Sequence, residues 1–247
     1  MTVKGFLSRV VPQGTFFLSL FQSSFTFPVS KDLLTSATFN HVNPRHHTVA
    51  TDCVSQTVSS RAVKGLSDEQ ILALFTSGFF GGFVFRAESW ALNLLGARFL
   101  PARYTTFRPT PEALKVHRVS GISNKSLLPV GSLLFNSFLL VDKHTKAASE
   151  KMCENSHEKQ NETPSSYVDY CFGSDEARFA GCHRFRVTRL PPAGDNTGNE
   201  GQVRIDLEHF RCNPQENKPS WAEKIPMLHF VYAKMLFANG MQALLAR

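Results

Sequence analysis

Two histidines stand on strand rows that are otherwise apolar. In "QVRIDLEHF" (202–210), alternation puts Val203, Ile205 and Leu207 on one face, and His209 takes the next place on that row. "CHRFRVTRL" (182–190) has the same form, with His183, Phe185 and Val187 on one row and Arg184, Arg186 and Thr188 on the other. If the two strands close as a hairpin about residue 196, Val187 faces Ile205, Phe185 faces Leu207 and His183 faces His209, so the apolar rows match. Imidazoles titrate near neutral pH, and a pair of them suits enolisation, isomerisation or polarisation of a carbonyl. Burial favours the neutral form, which donates through one nitrogen and accepts through the other. A plainer alternative is open too, in which each ring only bonds a neighbour at the end of the sheet. A metal would need a third ligand, and no H-x-E or H-x-H spacing supplies one, so none is expected.

Other polar groups fall on apolar rows. Tyr170 alternates with Val168 and Phe172, which leaves Asp169 expected at solvent and Tyr170 inside as a donor to a ligand carbonyl. Asn136 shares a row with Phe138 and Leu140. Arg103 and Tyr104 in "PARYTTF" could guard a cavity mouth, and they equally suit a surface or strand edge. In "AESWALNLLG", Trp90 and Leu94 read as core, with Trp90 a candidate ligand contact, and Glu88 as an ordinary first-turn acid. Cys171 and Cys182 have no base at a telling spacing and read as inert thiols. No nucleotide-binding loop, zinc-protease helix or hydrolase elbow is present, so no cofactor is expected.

The elements that must carry these residues can be read from pattern. Residues 1–45, broken by Pro12, Pro28 and Pro44, read as an extended or partly ordered lead-in, and 46–247 as a single domain. "HTVATDCVSQTV" (47–58) reads as the first long strand. "GLSDEQILALFTSGFF" follows, with a Ser67/Gln70 capping box, an apolar stripe of Ile71, Leu72, Leu74 and Phe75, and Gly78 as an end. After Gly81 and Gly82, "AESWALNLLG" gives a second short helix. Strands are expected at 113–121 and 132–145, then in "SSYVDYCFGS", "GCHRFRVTRL" and "GQVRIDLEHFRC". The polar stretch 146–165 reads as a disordered loop. The last helix starts at Pro226 and is apolar on most sides, so it is expected buried on most sides.

Composition sets bounds. The chain has 247 residues, 42% of them apolar, with 22 Phe and a net charge of +7. Its basic residues are scattered from Lys4 to Arg247, which reads as solvated surface and gives no nucleic-acid site. An odd count of 5 cysteines without disulfide or zinc spacing suggests a reducing compartment, hence a cytoplasmic location. No apolar run reaches the roughly 18 residues of a membrane span.

This order predicts an α+β fold: a curved antiparallel sheet gripping a long C-terminal helix, with two short helices after the first strand. It resembles the helix-grip fold of the Bet v 1 and START-like superfamily over residues 46–246. "SYVDYCFGS", "GCHRFRVTRL", "GQVRIDLEHF" and the Pro-Trp-helix segment also resemble a plant and bacterial family of unknown function, with Cys182 and His183 in place of an acidic position. The fold likeness implies an internal cavity for apolar small molecules or lipids. The expectation is therefore a cofactor-free enzyme that isomerises, cyclises or closes an apolar oxygenated molecule. The alternatives are a carrier or sensor of a lipid-like ligand, and a protein that meets a partner or second copy through its C-terminal helix.

Overall fold

The structure is a computed structural model that describes residues 14–94, 101–146, 165–191, 201–219 and 226–246. A helix at 14–22 (α1) and strand Ser24–Thr26 (β1) lead to short helices Lys31–Leu34 (α2) and Ala37–Val42 (α3). Strand Ala50–Ser59 (β2) precedes helices Asp68–Gly81 (α4) and Phe83–Leu94 (α5). Then come strands Lys115–Val116 (β3), Leu133–Leu134 (β4), Phe138–His144 (β5), Ser165–Gly173 (β6), Ala180–Leu190 (β7) and Gln202–Cys212 (β8). Helix Pro226–Leu245 (α6) closes the chain. The fold is α+β. Its eight strands form one curved sheet in the order β1-β2-β8-β7-β6-β5-β4-β3, antiparallel except where β3 runs parallel to β4.

The β7–β8 hairpin has the register that apolar matching predicts: Val187 pairs with Ile205, Phe185 with Leu207 and His183 with His209. On that face the sheet packs against α4 and α6. Val54, Val168, Tyr170, Phe185 and Ile205 meet Ile71, Phe75 and Phe79 from α4 and Phe237, Met241 and Leu244 from α6, all fully or almost fully buried. The capping box forms as expected, with Ser67 accepting from Gln70 N at 3.2 Å. Phe75 stands edge-on to both Phe185 and Phe237.

Several elements differ from their reading in sequence. Helix α4 runs past Gly78 to Gly81 because Gly78 is where α6 crosses it. A Cβ there would lie 2.5 Å from Ala243 Cβ and 2.6 Å from the Asn239 carbonyl. Gly78→Ala should therefore lower stability by about 1–2 kcal/mol in urea melts, although alanine is the better helix former. A gain in stability would show that α6 does not press on this residue. Asp68–Glu88 is long and apolar enough to cross a membrane by composition, but it is the α4–α5 pair, and its phenylalanines 75, 79 and 80 are buried in the core. The expected strand at 113–121 shrinks to two residues, and that at 132–145 splits into β4 and β5 around a tight turn.

The largest departure is on the other face of the sheet. Within the segment read as an extended or partly ordered lead-in, α2 and α3 lie across that face, with Leu33, Phe39 and Val42 packed on Cys171, Cys182 and Phe210. Asp169, expected at solvent, is fully buried beneath them. Arg184, 1% exposed, donates to both Asp169 oxygens at 2.6 and 2.7 Å, and Thr38 of α3 donates to the same carboxylate at 2.6 Å. Arg186 bridges Glu208 and Asp32, and Ser30 caps Glu208. Asp169, Arg184, Arg186 and Glu208 on the outward row thus pair with one another and with side chains of the N-terminal segment, as buried charges must. The loop expected at 146–165 falls, apart from its two end residues, outside the described residues, as does the side chain of Leu94, expected in the core.

Candidate functional site

One end of the inner face stays open. Where α6 enters, the sheet and helices form a cavity of about 180 Å³ that opens to the surface. Three strand residues bring imidazole and guanidinium groups to its wall: His183 from β7, and His209 and Arg211 from β8. Alternation accounts for all three, since Arg211 continues the His209 row by one more step. Helix α6 adds His229 and Tyr232, and α5 adds Glu88. Phe138, Phe172 and Phe179 supply apolar walls. Phe179 is folded back onto Phe172, with ring centroids 5.5 Å apart, by the β6–β7 turn. That turn needs Gly173 at φ +76°, where a Cβ would strike the Phe179 carbonyl oxygen at 2.2 Å.

Asp52 of β2 organises the polar end. It is the cross-strand partner of His209 and is 3% exposed. Its Oδ2 accepts from His209 Nδ1 at 3.0 Å, from His229 Nε2 at 2.8 Å and from Arg211 Nη1 at 3.2 Å. Burial alone would raise the Asp52 pKa, but the attraction and hydrogen bonding of the His209 and His229 imidazoles outweigh it and hold the carboxyl well below the usual carboxylate range. Burial lowers the His209 pKa below 6.5, and Asp52 offsets only part of this. A neutral His209 that donates from Nδ1 keeps an acceptor lone pair on Nε2.

His183 complements it. The two rings stack with centroids 4.8 Å apart at 25°. Burial, and then the neighbouring His209, hold His183 well below its ordinary value, so it too is neutral. Its Nδ1 is buried with no partner among the described residues. An orphaned acceptor costs less than an orphaned N–H, which places the proton on Nε2. The pair then offers one base and one donor. Also lining the cavity, Tyr232 donates its hydroxyl to Glu88 Oε2. Burial raises the Glu88 pKa, and the Tyr232 bond lowers it in part.

The two histidines named from sequence are brought together at the cavity, and the other five candidates are not part of its lining. Tyr170 is fully buried in the core against Phe80 and Phe185. Asn136 occupies the β4–β5 turn at φ 63°, exposed. Arg103 points outward, 74% exposed beside Glu176. Tyr104 is buried on the opposite face of the sheet, donating to the Phe172 carbonyl at 2.6 Å. Trp90, expected in the core, is 68% exposed, because α5 turns that side away from the sheet. Burial raises the Cys171 and Cys182 pKa values, which leaves both as thiols.

The expectation that no third metal ligand exists is corrected. Asp52, His209 and His229 place three ligand atoms within 4.8 Å of one another, from positions no local spacing could relate. Arg211 Nη1 stands 3.1 Å from His229 Nε2 and 3.5 Å from His209 Nδ1, at the fourth corner of that group. A guanidinium cannot ligate, and its charge opposes a cation beside it. The arrangement works as a hydrogen-bond hub centred on a carboxylate. Sequence reading passed over Asp52, Arg211 and His229, and gave Glu88 only a role at the start of its helix. The one available signal was the row that continues from His209 to Arg211.

Compared with known protein families and with curated protein sequences, the chain matches none.

Proposed function

We propose that the chain is an enzyme that shifts a proton on a small, largely apolar carbonyl compound held in this cavity, and so interconverts isomers through an enol. The observation that carries this reading is the Asp52–His209 hydrogen bond at 3.0 Å beside the stacked ring of His183. His209 Nε2 takes the proton next to the carbonyl. The C–H electron pair moves into the new C=C bond, and the charge gathers on the carbonyl oxygen, where His183 Nε2–H holds it. The imidazolium formed at His209 is stabilised by Asp52 and returns its proton to a different carbon. Nothing is oxidised, and no further reactant is needed.

The cavity's size favours this over carriage of a lipid. About 180 Å³ is little more than the roughly 150 Å³ that holds a benzene ring, so the space within the walls suits a small ring rather than the full length of an acyl chain. The test is hydrogen exchange in D2O, with cyclohexanone as the probe and NMR following its α-protons. The protein should speed exchange above the buffer rate, with saturation as ketone is added. Exchange no faster than in buffer, at ketone concentrations where binding is seen, would overturn the reading.

A further inference from the structure

Helix α1 has its polarity reversed. Ser19 and, just past the helix end, Ser23 are buried, whereas Phe17, Leu18 and Phe21 are 55%, 60% and 81% exposed. A surface helix of a globular protein does the opposite. The apolar face continues onto neighbouring elements. Phe16 packs on Phe83 of α5 with ring centroids 4.9 Å apart, and Phe83, Arg86, Ala87 and Trp90 are exposed along one side of that helix. After β1, Phe27 is exposed beside Phe25, whose ring meets Phe230 of α6 at 4.7 Å. Joined apolar surface of this kind marks an interaction site.

Charge says which partner fits. Arg86 stands between Phe83 and Trp90 on the exposed side of α5, and Lys234 Nζ lies 5.7 Å from the Phe230 ring centroid. Residues 1–31 hold Lys4, Arg9 and Lys31 and no acid. In α1, β1, α5 and α6 the one acid is Glu88, which is bonded by Tyr232 and lines the cavity. A second copy across a two-fold axis would meet this patch with the same patch, with no carboxylate there to pair its cations. An anionic lipid surface answers both features, since apolar side chains enter the headgroup boundary while basic ones meet the phosphates. We propose that the aromatic face of α1, Phe27 and α5 docks the protein on an anionic bilayer, as an interfacial contact and not a span. This docking does not depend on the chemistry of the cavity.

Sedimentation of the whole chain with sucrose-loaded vesicles tests it. Phosphatidylcholine vesicles with about one phosphatidylserine in three lipids should bind about tenfold or more tightly than phosphatidylcholine alone, the effect of a few cations near a charged surface. In Phe21→Ser/Trp90→Ser, binding to the anionic vesicles should fall about tenfold or more, because these rings leave water only at the membrane. Both side chains are largely exposed, so the urea melt of the double variant should match wild type. Leu114→Ser changes an exposed leucine just before β3, at the opposite edge of the sheet from β1, and should leave vesicle binding unchanged. Equal binding to the two lipids, no pelleting above that of the protein alone, a double variant that binds like wild type, or an equal loss in Leu114→Ser would each overturn the proposal. So would a wild type that sediments as a dimer without lipid while the double variant is a monomer, because the face would then belong to a second copy.

Discussion

His209→Gln should slow the exchange of cyclohexanone α-protons by about 10²–10⁴-fold, the usual contribution of a positioned general base. Glutamine keeps a hydrogen-bonding group near Asp52 but has no basic nitrogen, so binding should change little while the rate falls. Asp52→Asn should give a loss of similar order for a different reason. An amide can donate to His209 Nδ1, which would move the imidazole proton to Nε2 and leave no lone pair facing the ligand. The pH profile carries the same argument. Only neutral His209 can accept a proton, and burial, with charge from His229 and Arg211 adding to it, lowers its pKa although Asp52 opposes the shift. Wild-type activity should therefore hold as pH falls through 6.5, the ordinary imidazole value, and decline only below it. A midpoint above 6.5 would mean that Asp52 outweighs burial, and a His209→Gln rate equal to wild type would remove His209 from the mechanism.

Arg184→Met should cost about 3–5 kcal/mol of stability, the range for breaking a buried ion pair from one side. Arg184 is 1% exposed and Asp169 is fully buried, and the two are joined by two hydrogen bonds. Without the guanidinium, the Asp169 carboxylate keeps Thr38 as its side-chain donor among the described residues, at 2.6 Å. It must then be protonated or stay charged in an apolar surrounding, and both are unfavourable. The double variant Asp169→Leu/Arg184→Met should recover most of the loss, because an apolar pair of similar volume is often as stable as the ion pair it replaces. Urea melts of the wild type and the two variants decide the matter. A loss below about 1 kcal/mol in Arg184→Met would mean that the pair behaves as a solvated surface bridge despite its position under α2 and α3.

Much of this protein follows from local pattern. The β7–β8 register, with His183 opposite His209, follows from a period of two and the need to bury one apolar row, both of which are written in adjacent residues. The capping box at Ser67 and the start of α6 at Pro226 are local in the same way, since each depends on backbone groups within one helical turn. Alternation says which residues share a face but not what covers it. That is why Asp169 reads as solvent-facing in sequence and lies buried under α3, and why Trp90 reads as core and lies exposed. The chemistry of the site is decided further still from the chain's local order. Asp52, His209, Arg211 and His229 meet on one carboxylate oxygen only because β2 pairs with β8 and α6 crosses that end of the sheet. Hydrogen bonding acts over about 3 Å regardless of separation along the chain, so only the packed structure can show which distant residues share a proton.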